Sequence, residues 1–507
     1  MDSNKRMAVN TVILYAKLVV TILVNLYSTR LILNAMGVED YGIVNLISGI
    51  VAMLSFIQNS MSVSSQRYMS FNMGKHDETL MVRVFNSSFV LHTILAVIIL
   101  ITLECLTPLV FGSSIQIPEQ RETAAKILYQ LTIVGTTLVV ITVPYDAALN
   151  AHENMLVFSL ASIIESLIRL SGAFILLVYS DDKLIFYGFL IIAIRLVSLF
   201  IKGMYCQKHY KETKISIRCG DKVMMKDMFS FAFWNMFAAL AMTGRSQGVA
   251  IVMNVFFGVF INAAYGIAHQ ISGQLQNFTA TISKAMNPQI MQRAGSGNQE
   301  GMVSLALKQC KYSSILLAYA VIPLFFSMPF VLKIWLGEIP EYCVAFCSLI
   351  LFVSVIQQLT VGLMSVIQAT GIVRNYLVTV SAIMLLNIPL AFVLLKAGCK
   401  APIVIIGMIL IEIVICFIRV FFAHKLSGLL IGSFVKNVFI PIGVLYLVSG
   451  STVYLIQKLC FEKSCFASFC VLTIVAVIVI SILSYALLTN IERKFFLDLI
   501  KKRVKRL

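Results

Sequence analysis

Apolar segments of about 20 residues or more alternate with short polar stretches along the whole chain. An α-helix of roughly 20 apolar residues is long enough to cross the hydrocarbon core of a bilayer. The pattern therefore predicts an all-α polytopic membrane protein with about fourteen transmembrane helices. The predicted spans are 8–35, 42–66, 82–111, 123–149, 155–179, 184–206, 228–256, 261–287, 303–335, 343–369, 375–396, 402–424, 434–457 and 465–489.

One segment of the chain recurs after a little less than half of its length. The sequence YGIVNLISG at 41–49 returns as YGIAHQISG at 265–273, and the same interval carries Arg195 onto Arg419. Duplications of this kind are typical of membrane transporters built from two lobes. We therefore predict an N-terminal six-helix lobe at 1–206, a basic cytoplasmic linker at 207–227 and a C-terminal six-helix lobe at 228–425. Residues 426–507 add two further transmembrane helices and a basic tail.

The charges between the spans predict the orientation. With the N-terminus in the cytoplasm, the cytoplasmic loops and tails hold 20 Lys and Arg residues and the outer loops 5. The other fifteen lie inside the predicted spans. This bias follows the positive-inside rule and places both termini in the cytoplasm. The net charge of +17 then reflects topology and attraction to anionic membrane lipids, with no nucleic-acid partner.

Composition excludes several other classes of protein. Hydrophobic residues make up 59% of the chain and charged residues 12%, whereas a soluble domain carries roughly 25% charged residues. The eleven cysteines and six histidines show no metal-binding spacing, so we predict neither metal nor cofactor. Cys460 and Cys465 flank the last outer loop and could form a disulfide.

Polar residues inside the first and seventh spans are candidates for a binding site, because each is costly in lipid. Lys17, Asn25 and two hydroxyl residues share one face of the first span. Lys17 either faces a cavity or snorkels to the cytoplasmic surface. In the seventh span Arg245 lies near the middle beside Gln247, and no acid is evident in the same helix. We expect Arg245 to face a water-filled cavity, with a buried structural ion pair as the alternative.

The eighth span is polar almost all round and includes a run of amides, hydroxyls and basic groups. Its polar residues are His269, Gln270, Ser272, Gln274, Gln276, Asn277, Thr279, Thr281, Ser283 and Lys284. Unsatisfied amides are too costly in hydrocarbon for such a helix to face lipid. It must line a hydrated cavity or pack between other helices.

Other intramembrane charges fall at spacings typical of ion pairs. Glu165 is expected to pair with Arg195 and Glu412 with Arg419, with Arg169 as a competitor for Glu165. Two further acids have no evident partner and are candidates for ion coupling or for neutral carboxyls: Glu104 and Asp146.

With the paired groups set aside, the predicted cavity is basic and rich in amides. Basic side chains recognise phosphate or acidic sugars, and amides suit sugar hydroxyls. The predicted substrate-binding residues are Arg245, Lys17, Lys284, Arg67 at the cytoplasmic mouth, Gln247, Asn25, His269 and Gln270. No catalytic residue is predicted, and we expect the chain not to be an enzyme.

Three short motifs carry a resemblance to a known family. They are RLILNAMGVEDYG at 30–42, PLVFG at 108–112 and WLG at 335–337. With the span count and the two repeats, the chain resembles the polysaccharide flippases of the multidrug/oligosaccharidyl-lipid/polysaccharide exporter superfamily, over essentially its whole length.

The resemblance implies a function. Members of this flippase family turn an undecaprenyl-diphosphate-linked oligosaccharide repeat unit from the cytoplasmic to the periplasmic leaflet, for O-antigen or capsule synthesis. It implies alternating access through a cationic central cavity, a lipid-linked oligosaccharide as partner, and polysaccharide polymerase machinery as a candidate further partner. Two alternatives stay open: a drug/cation antiporter of the same superfamily, which would need acidic cavity residues, and a membrane-embedded glycan polymerase or ligase, which would need larger outer loops.

Overall fold

The computed structural model describes residues 3–52, 54–112, 118–216, 220–460 and 466–487. Within these ranges every regular element is a helix. The α-helices are α1 Ser3–Ala52, α2 Ser55–Gly74, α3 Glu78–Val110, α4 Glu122–Ala151, α5 Met155–Val178, α6 Lys183–His209, α7 Lys222–Gly295, α8 Gln299–Leu336, α9 Cys343–Leu359, α10 Val361–Thr370, α11 Arg374–Leu385, α12 Asn387–Lys396, α13 Pro402–Ser427, α14 Ile431–Phe434, α15 Ile440–Cys460 and α16 Phe466–Leu487. Cys465, predicted to pair with Cys460, lies outside the described residues, as does the basic tail.

The prediction of an all-α polytopic membrane protein is confirmed. Eleven helices of the described chain are long and apolar enough to cross a membrane, and two bent helix pairs bring the number to thirteen. These thirteen coincide with thirteen of the fourteen predicted spans. The predicted eighth span, 261–287, is helical but is not among them, because its polar residues lower its hydropathy.

Two long helices, α1 and α7, each break at a single glycine. Gly37 has φ of 80° and Gly258 has φ of 76°, values that residues with a Cβ rarely adopt. The first break lies between the predicted first and second spans, and the second lies between the seventh and eighth. Each glycine shortly precedes one copy of the repeated YGI sequence, so the backbone repeats where the sequence does.

The described chain forms two compact units. The first contains the chain up to Leu240 together with Lys284–Asn298, and the second contains Ala241–Ser283 and the chain from Gln299 onward. The first unit has a large apolar core around Ile47, Leu103 and Tyr129, and the second has one around Met253, Phe346 and Ile405. The assignment of two six-helix repeats stays a prediction.

Close helix packing in the first unit depends on small residues. The side chain of Leu190, on α6, lies where a Cβ on Gly172 of α5 would be, and Leu131 of α4 lies against Gly188 of α6 in the same way. Glycine at these positions lets neighbouring backbones approach, as is common between membrane helices. The helices α4, α5 and α6 are therefore held at fixed depth relative to one another.

Residues predicted on the same side of the membrane meet in the first unit. Arg121 Nη2 lies 2.6 Å from Asp40 Oδ2, and Arg121 Nη1 lies 2.8 Å from Asp182 Oδ2. All three belong to predicted outer loops. His152 and Glu212, from two predicted cytoplasmic loops, are joined by a hydrogen bond. The alternation of the loops in this unit therefore agrees with the predicted span order.

A reciprocal contact joins the ends of α2 and α7 in the first unit. A Cβ added to Gly74 would collide with the carbonyl oxygen of Gln292, and a Cβ added to Gly295 would collide with the carbonyl oxygen of Phe71. Glycine is required at both positions because backbone atoms cannot move aside as a flexible side chain can. We call these four residues the glycine clasp.

Candidate functional site

A cluster of charged residues lies around Phe158 in the first unit. Lys202 Nζ lies 2.9 Å from Asp146 Oδ1 and 3.8 Å from Glu165 Oε1. Lys17 Nζ lies 4.4 Å above the ring centre of Phe158, and Lys202 Nζ lies 5.4 Å from the same centre. A cation over an aromatic face is attracted to the ring quadrupole. The ring therefore holds two ammonium groups that would otherwise repel each other.

The fifth member of this charge cluster is Lys284, on the last turns of α7. It is exposed and lies close enough to Lys17 for the two charges to repel each other. Leu14, Met155 and Ala285 pack together beside it, which fixes α1, α5 and the end of α7 at this point. Three lysines and two acids give the Phe158 cluster a net positive charge.

Lys202 was not among the residues predicted for the site, since the sequence placed it where the sixth span meets a polar loop. The structure shows its side chain 7% exposed and paired with Asp146. The sequence could have indicated this position, because Lys202 lies four residues after Ser198 and seven after Arg195. Residues three, four and seven apart share one helix face. Asp146, predicted without a partner, therefore lies in an ion pair.

In the predicted polar stripe of the first span, two hydroxyl groups donate hydrogen bonds to backbone carbonyl oxygens of their own helix. Thr21 Oγ1 donates to the carbonyl oxygen of Lys17 at 2.8 Å, and Ser28 Oγ donates to that of Val24 at 2.7 Å. Asn25 is half-buried. Of the residues of this stripe, Lys17 is therefore the one that joins a cluster of charges.

A second cluster, in the second unit, is centred on the carboxylate of Glu412, which is fully buried. Arg245 Nη1 lies 3.5 Å from Glu412 Oε2, and Arg419 Nη2 lies 3.4 Å from Glu412 Oε1. Gln357 Nε2 also donates to Glu412 Oε2 at 3.2 Å. Two arginines on one carboxylate leave the Glu412 cluster with one surplus positive charge.

The two arginines of the Glu412 cluster differ in how fully their donors are used. Arg419 Nε donates to the Tyr376 hydroxyl at 3.3 Å and Nη1 donates to Thr360 Oγ1 at 3.0 Å. Arg245 Nε is buried and has no hydrogen-bond partner within the described ranges. An unused guanidinium donor beside a surplus positive charge is suited to bind an anionic oxygen.

His269 lies near Arg245, with its ring 4.4 Å from that of Tyr265 in an edge-on arrangement. Gln247 and Gln270, the two amides predicted beside these residues, are exposed. Arg67, predicted at the cytoplasmic mouth, is buried in the first unit with its guanidinium 4.5 Å from the ring centre of Tyr68 and 4.8 Å from that of Phe71.

The polar part of α7 after Gly258 is satisfied by polar side chains of α8 and α9. Four pairs hold it: Ser272 with Ser354 at 3.2 Å, Gln276 with Gln357 at 3.2 Å, Thr279 with Gln358 at 3.0 Å and Ser283 with Gln309 at 2.9 Å. Through Gln357 this ladder reaches Glu412. The polar helix therefore supports the Glu412 cluster and does not face lipid along this side.

The other two predicted acids of the first unit, Glu104 and Glu165, each accept one side-chain hydrogen bond. Glu104 Oε2 accepts a hydrogen bond from Gln130 Nε2 at 3.0 Å, on the exposed side of the helices. Glu165 accepts from Ser198 Oγ at 2.5 Å, and its Oε2 lies 3.9 Å from Arg195 Nη1. No group of three or more His, Cys, Asp or Glu residues in the searched part of the chain is placed to hold a metal ion.

A polar pocket of about 360 Å³ opens where the helices of the first unit end in the predicted cytoplasmic loops. Arg6, His76, Glu153 and Arg293 line it together with neighbouring residues. Burial raises the pKa of Glu153, although a hydrogen bond from Gln289 and the nearby arginines oppose this effect. Glu153 also has a left-handed φ of 55°, which holds its backbone in a tight turn between α4 and α5.

Beside this pocket, His152 stacks on Tyr210 with ring centres 3.7 Å apart. Burial raises the pKa of Tyr210 to about 12, so the phenol stays protonated at neutral pH. Burial alone would raise the pKa of Glu212. The hydrogen bond with His152, a bond from its own backbone N–H and the charge of His152 together outweigh burial and leave that pKa below its usual value. The stacking of His152 on Tyr210 therefore holds the segment after α6 against the turn between α4 and α5.

The fold is similar to that of solved transporters of the MOP superfamily. A MOP superfamily transporter from Pyrococcus furiosus, described as having a binding pocket of reversed polarity, is 15% identical, with a TM-score of 0.72 over 84% of this chain and 96% of that one. A multidrug resistance MATE family transporter in an outward-facing conformation is also 15% identical, with a TM-score of 0.72 over 84% and 97%. A MATE structure in a bent conformation is 16% identical, with a TM-score of 0.74 over 84% and 96%.

The family of the protein is shown by a match of its sequence to a family model. A family model described as polysaccharide biosynthesis protein matches residues 6–293, more than half of the chain, and the protein belongs to that family. No curated protein sequence matches the chain at a significant level.

Proposed function

We propose that the chain is a flippase. It moves an undecaprenyl-diphosphate-linked oligosaccharide from the cytoplasmic to the periplasmic leaflet of the bacterial inner membrane, by alternating access, for synthesis of O-antigen or capsule. Membership of the polysaccharide biosynthesis family and the transporter fold support this proposal. No bond of the substrate is made or broken, so the chain acts without catalytic residues or a cofactor.

The observation that carries the proposal is the surplus of positive charge among the intramembrane polar residues of each unit. In the first unit Lys17, Lys202 and Lys284 outnumber the two acids beside them. In the second unit Arg245 and Arg419 share the single carboxylate of Glu412. Buried cations in a membrane are costly unless an anion meets them, and a diphosphate would do so.

Direction can come from the membrane potential. An inside-negative membrane potential drives an anion outward, and moving one negative charge in that direction releases roughly 2.3 kcal/mol per 100 mV. A diphosphate with two charges would gain about twice that amount. A coupled ion at Asp146 or Glu104 is therefore not required by the proposal.

The acids argue against the alternative of a drug/cation antiporter. Asp146, Glu165 and Glu412 each lie within 4 Å of at least one lysine or arginine. A cationic drug would have to displace these partners. The likeness to MATE transporters is a likeness of fold.

Arg245 provides the test of the proposed function. Arg245→Ala leaves Glu412 paired with Arg419, so the protein should insert and accumulate normally. Display of surface glycan should be lost in a host that lacks its own flippase but supplies the lipid-linked glycan. Arg245→Lys should restore only part of it, since an ammonium cannot make the bidentate contact of a guanidinium.

The matched control is Arg83→Ala, which removes an exposed arginine of α3. It should display glycan at the level of the unmodified protein. Normal display by the Arg245→Ala variant at ordinary expression would exclude Arg245 from the substrate path.

A further inference from the structure

A second cavity lies inside the first unit, near the middle of the membrane-spanning helices. Its volume is about 360 Å³, and both apolar and polar side chains line it, the polar ones forming about half of the lining. These are Ser48, Gln58, Thr132 and Thr136 with Tyr187, and the two arginines Arg169 and Arg195. Arg169 lies fourteen residues into α5 and Arg195 twelve residues into α6, so neither is near a helix end.

The charges around this cavity are not balanced. Arg195 has one acid nearby, Glu165, at a long distance of 3.9 Å. Glu165 is shared, because Lys202 lies 3.8 Å from its other oxygen and Ser198 donates to it. Arg169 has no ion pair or hydrogen bond to any part of the chain that the structure describes. A charged side chain in this position is costly unless it meets a counter-charge.

Other donors around the cavity are also unused. Within the described ranges, neither the Gln58 side-chain amide nor the Tyr187 hydroxyl has a hydrogen-bond partner. The Arg169 guanidinium, the amide and the phenol therefore have no acceptor among the described residues, and the Arg195 guanidinium has only the shared Glu165 at 3.9 Å. This combination suits an oxyanion, because arginine offers parallel N–H groups that match two oxygens of one phosphate or carboxylate.

In the second unit, the arginine at the equivalent position has protein partners for its side-chain nitrogen atoms. Arg419 stands at the same place in the second repeat as Arg195 in the first. Its Nε, Nη1 and Nη2 contact Tyr376, Thr360 and Glu412 respectively, and the residue is 8% exposed. The duplicated position is therefore filled by protein groups in one unit and opens on a cavity in the other.

The backbone beside the cavity differs between the repeats as well. From Gly49 to Gly74 the first repeat has three more residues than the second has from Gly273 to Gly295. Helix segments Glu39–Val51 and Phe56–Gly74 meet at a bend of 53°, whereas α7 continues as a helix to Gly295. Val51, Leu54 and Gln58 of the cavity lining flank that bend. The bend between these two helix segments therefore lies beside the cavity.

We propose that this cavity is a binding site for an oxyanion, a phosphate or carboxylate group held between Arg169 and Arg195. The group comes either from a free inorganic anion or from the acidic part of the lipid-linked glycan, and the second source rests on the proposed function. The site is separate from the Glu412 cluster, which belongs to the other unit.

The experiment measures binding of inorganic phosphate to the purified full chain in nanodiscs of neutral lipid. Phosphate is titrated against potassium chloride at constant ionic strength, and the midpoint of thermal unfolding is recorded. The unmodified protein should be stabilised in a saturable manner. Arg169→Gln should raise the phosphate concentration needed for half of the effect by about tenfold or more, because a charge-assisted hydrogen bond is lost.

Arg169→Gln is the informative variant, because it breaks no contact with the rest of the described chain and should fold normally. Arg195→Gln should also raise the phosphate concentration needed for half of the effect, but it removes the ion pair between Arg195 and Glu165 as well. The matched control is Arg30→Gln, an exposed arginine of α1 that should respond to phosphate as the unmodified protein does. Equal stabilisation of the Arg169→Gln variant, or no stabilisation of the unmodified protein, overturns the proposal.

A second titration identifies the source of the anion. Farnesyl diphosphate carries the diphosphate of the proposed substrate on a short lipid chain. If it displaces phosphate, and this requires Arg169, the site serves the substrate. If phosphate binds through Arg169 and farnesyl diphosphate does not compete, the site holds a free anion, and the proposed flippase function is left to the Arg245 test.

Discussion

Arg245 and Glu412 are 167 residues apart in sequence, and their side chains meet at 3.5 Å inside the second unit. Arg419 reaches the other oxygen of the same carboxylate at 3.4 Å. Glu412 therefore neutralises part of the charge of two buried arginines at once. The three groups depend on one another, and their contributions to stability should not add independently.

Removal of Glu412 should cost more stability than removal of Arg419. Glu412→Gln leaves two buried guanidinium groups without a counter-charge, whereas Arg419→Gln leaves Glu412 paired with Arg245. Loss of one partner from a buried ion pair costs about 3–5 kcal/mol, and we expect Glu412→Gln to lie at the upper end. The thermal unfolding midpoint of the detergent-purified variants provides the comparison.

The double variant Glu412→Gln with Arg419→Gln should recover only part of the loss, because Arg245 stays unpaired. Full recovery would mean that Arg245 does not depend on Glu412. Equal midpoints for the two single variants would contradict the shared arrangement.

The glycine clasp should not accept a methyl group. Gly74→Ala places a Cβ against the carbonyl oxygen of Gln292, so the ends of α2 and α7 must separate. Forcing extra atoms into a packed contact costs about 1–3 kcal/mol. We expect a lower unfolding midpoint and a lower yield of monodisperse protein in size-exclusion chromatography.

Gly49→Ala is the control for this change, because a Cβ at Gly49 meets nothing within 4 Å. It should be neutral or slightly stabilising, since alanine favours helix more than glycine does. A Gly74→Ala variant as stable as Gly49→Ala would show that the clasp is open in solution.

The predicted topology can be tested at two exposed loop positions. Asp181 precedes α6 and Lys214 follows it, and both side chains are exposed. In a variant without native cysteines, Asp181→Cys should react with a membrane-impermeant maleimide added to intact cells. Lys214→Cys should react only after the membrane is permeabilised. The reverse pattern would overturn the assignment of both termini to the cytoplasm.

The polar pocket beside Glu153 should make stability depend on pH. Burial raises the pKa of Glu153 in the folded protein, so its ionised form is disfavoured there. A carboxyl with a raised folded-state pKa lowers stability as pH increases from its unfolded-state pKa through its folded-state pKa. Glu153→Gln should therefore be more stable than the unmodified protein at neutral pH.

That difference should shrink as the pH falls and disappear once the carboxyl is protonated in both states. Unfolding midpoints measured across the acidic range provide the test. Glu338→Gln, at an exposed loop glutamate, is the control and should show no such difference. A constant difference between Glu153→Gln and the unmodified protein at all pH values would show that ionisation of Glu153 is not its cause.

Much of the fold could be predicted because apolar periodicity is local. Span bounds depend on runs of neighbouring residues, and thirteen of the predicted spans coincide with apolar helices or bent pairs. The nearness of Glu412 and Arg419 also follows from a local rule, since residues seven apart lie on one helix face. Local spacing is therefore enough to place such groups together.

The partners of Arg245 and Asp146 could not be predicted in this way. Glu412 approaches Arg245 from a distant helix, and Lys202 approaches Asp146 from the end of a neighbouring helix that reads as part of a polar loop. Which helices are neighbours, and at what depth, depends on packing through glycines such as Gly172 and Gly188. A single sequence does not determine that registration.

The glycine clasp has a symmetry that bears on how the chain arose. The interval that separates Gly37 from Gly258 also carries Phe71 onto Gln292 and Gly74 onto Gly295. Exchanging the two copies turns the contact of Gly74 with Gln292 into the contact of Gly295 with Phe71. A contact that maps onto itself in this way is isologous, the kind formed by two identical subunits about a twofold axis. If the predicted repeats arose by duplication, this is a contact that two half-length chains could form about a twofold axis.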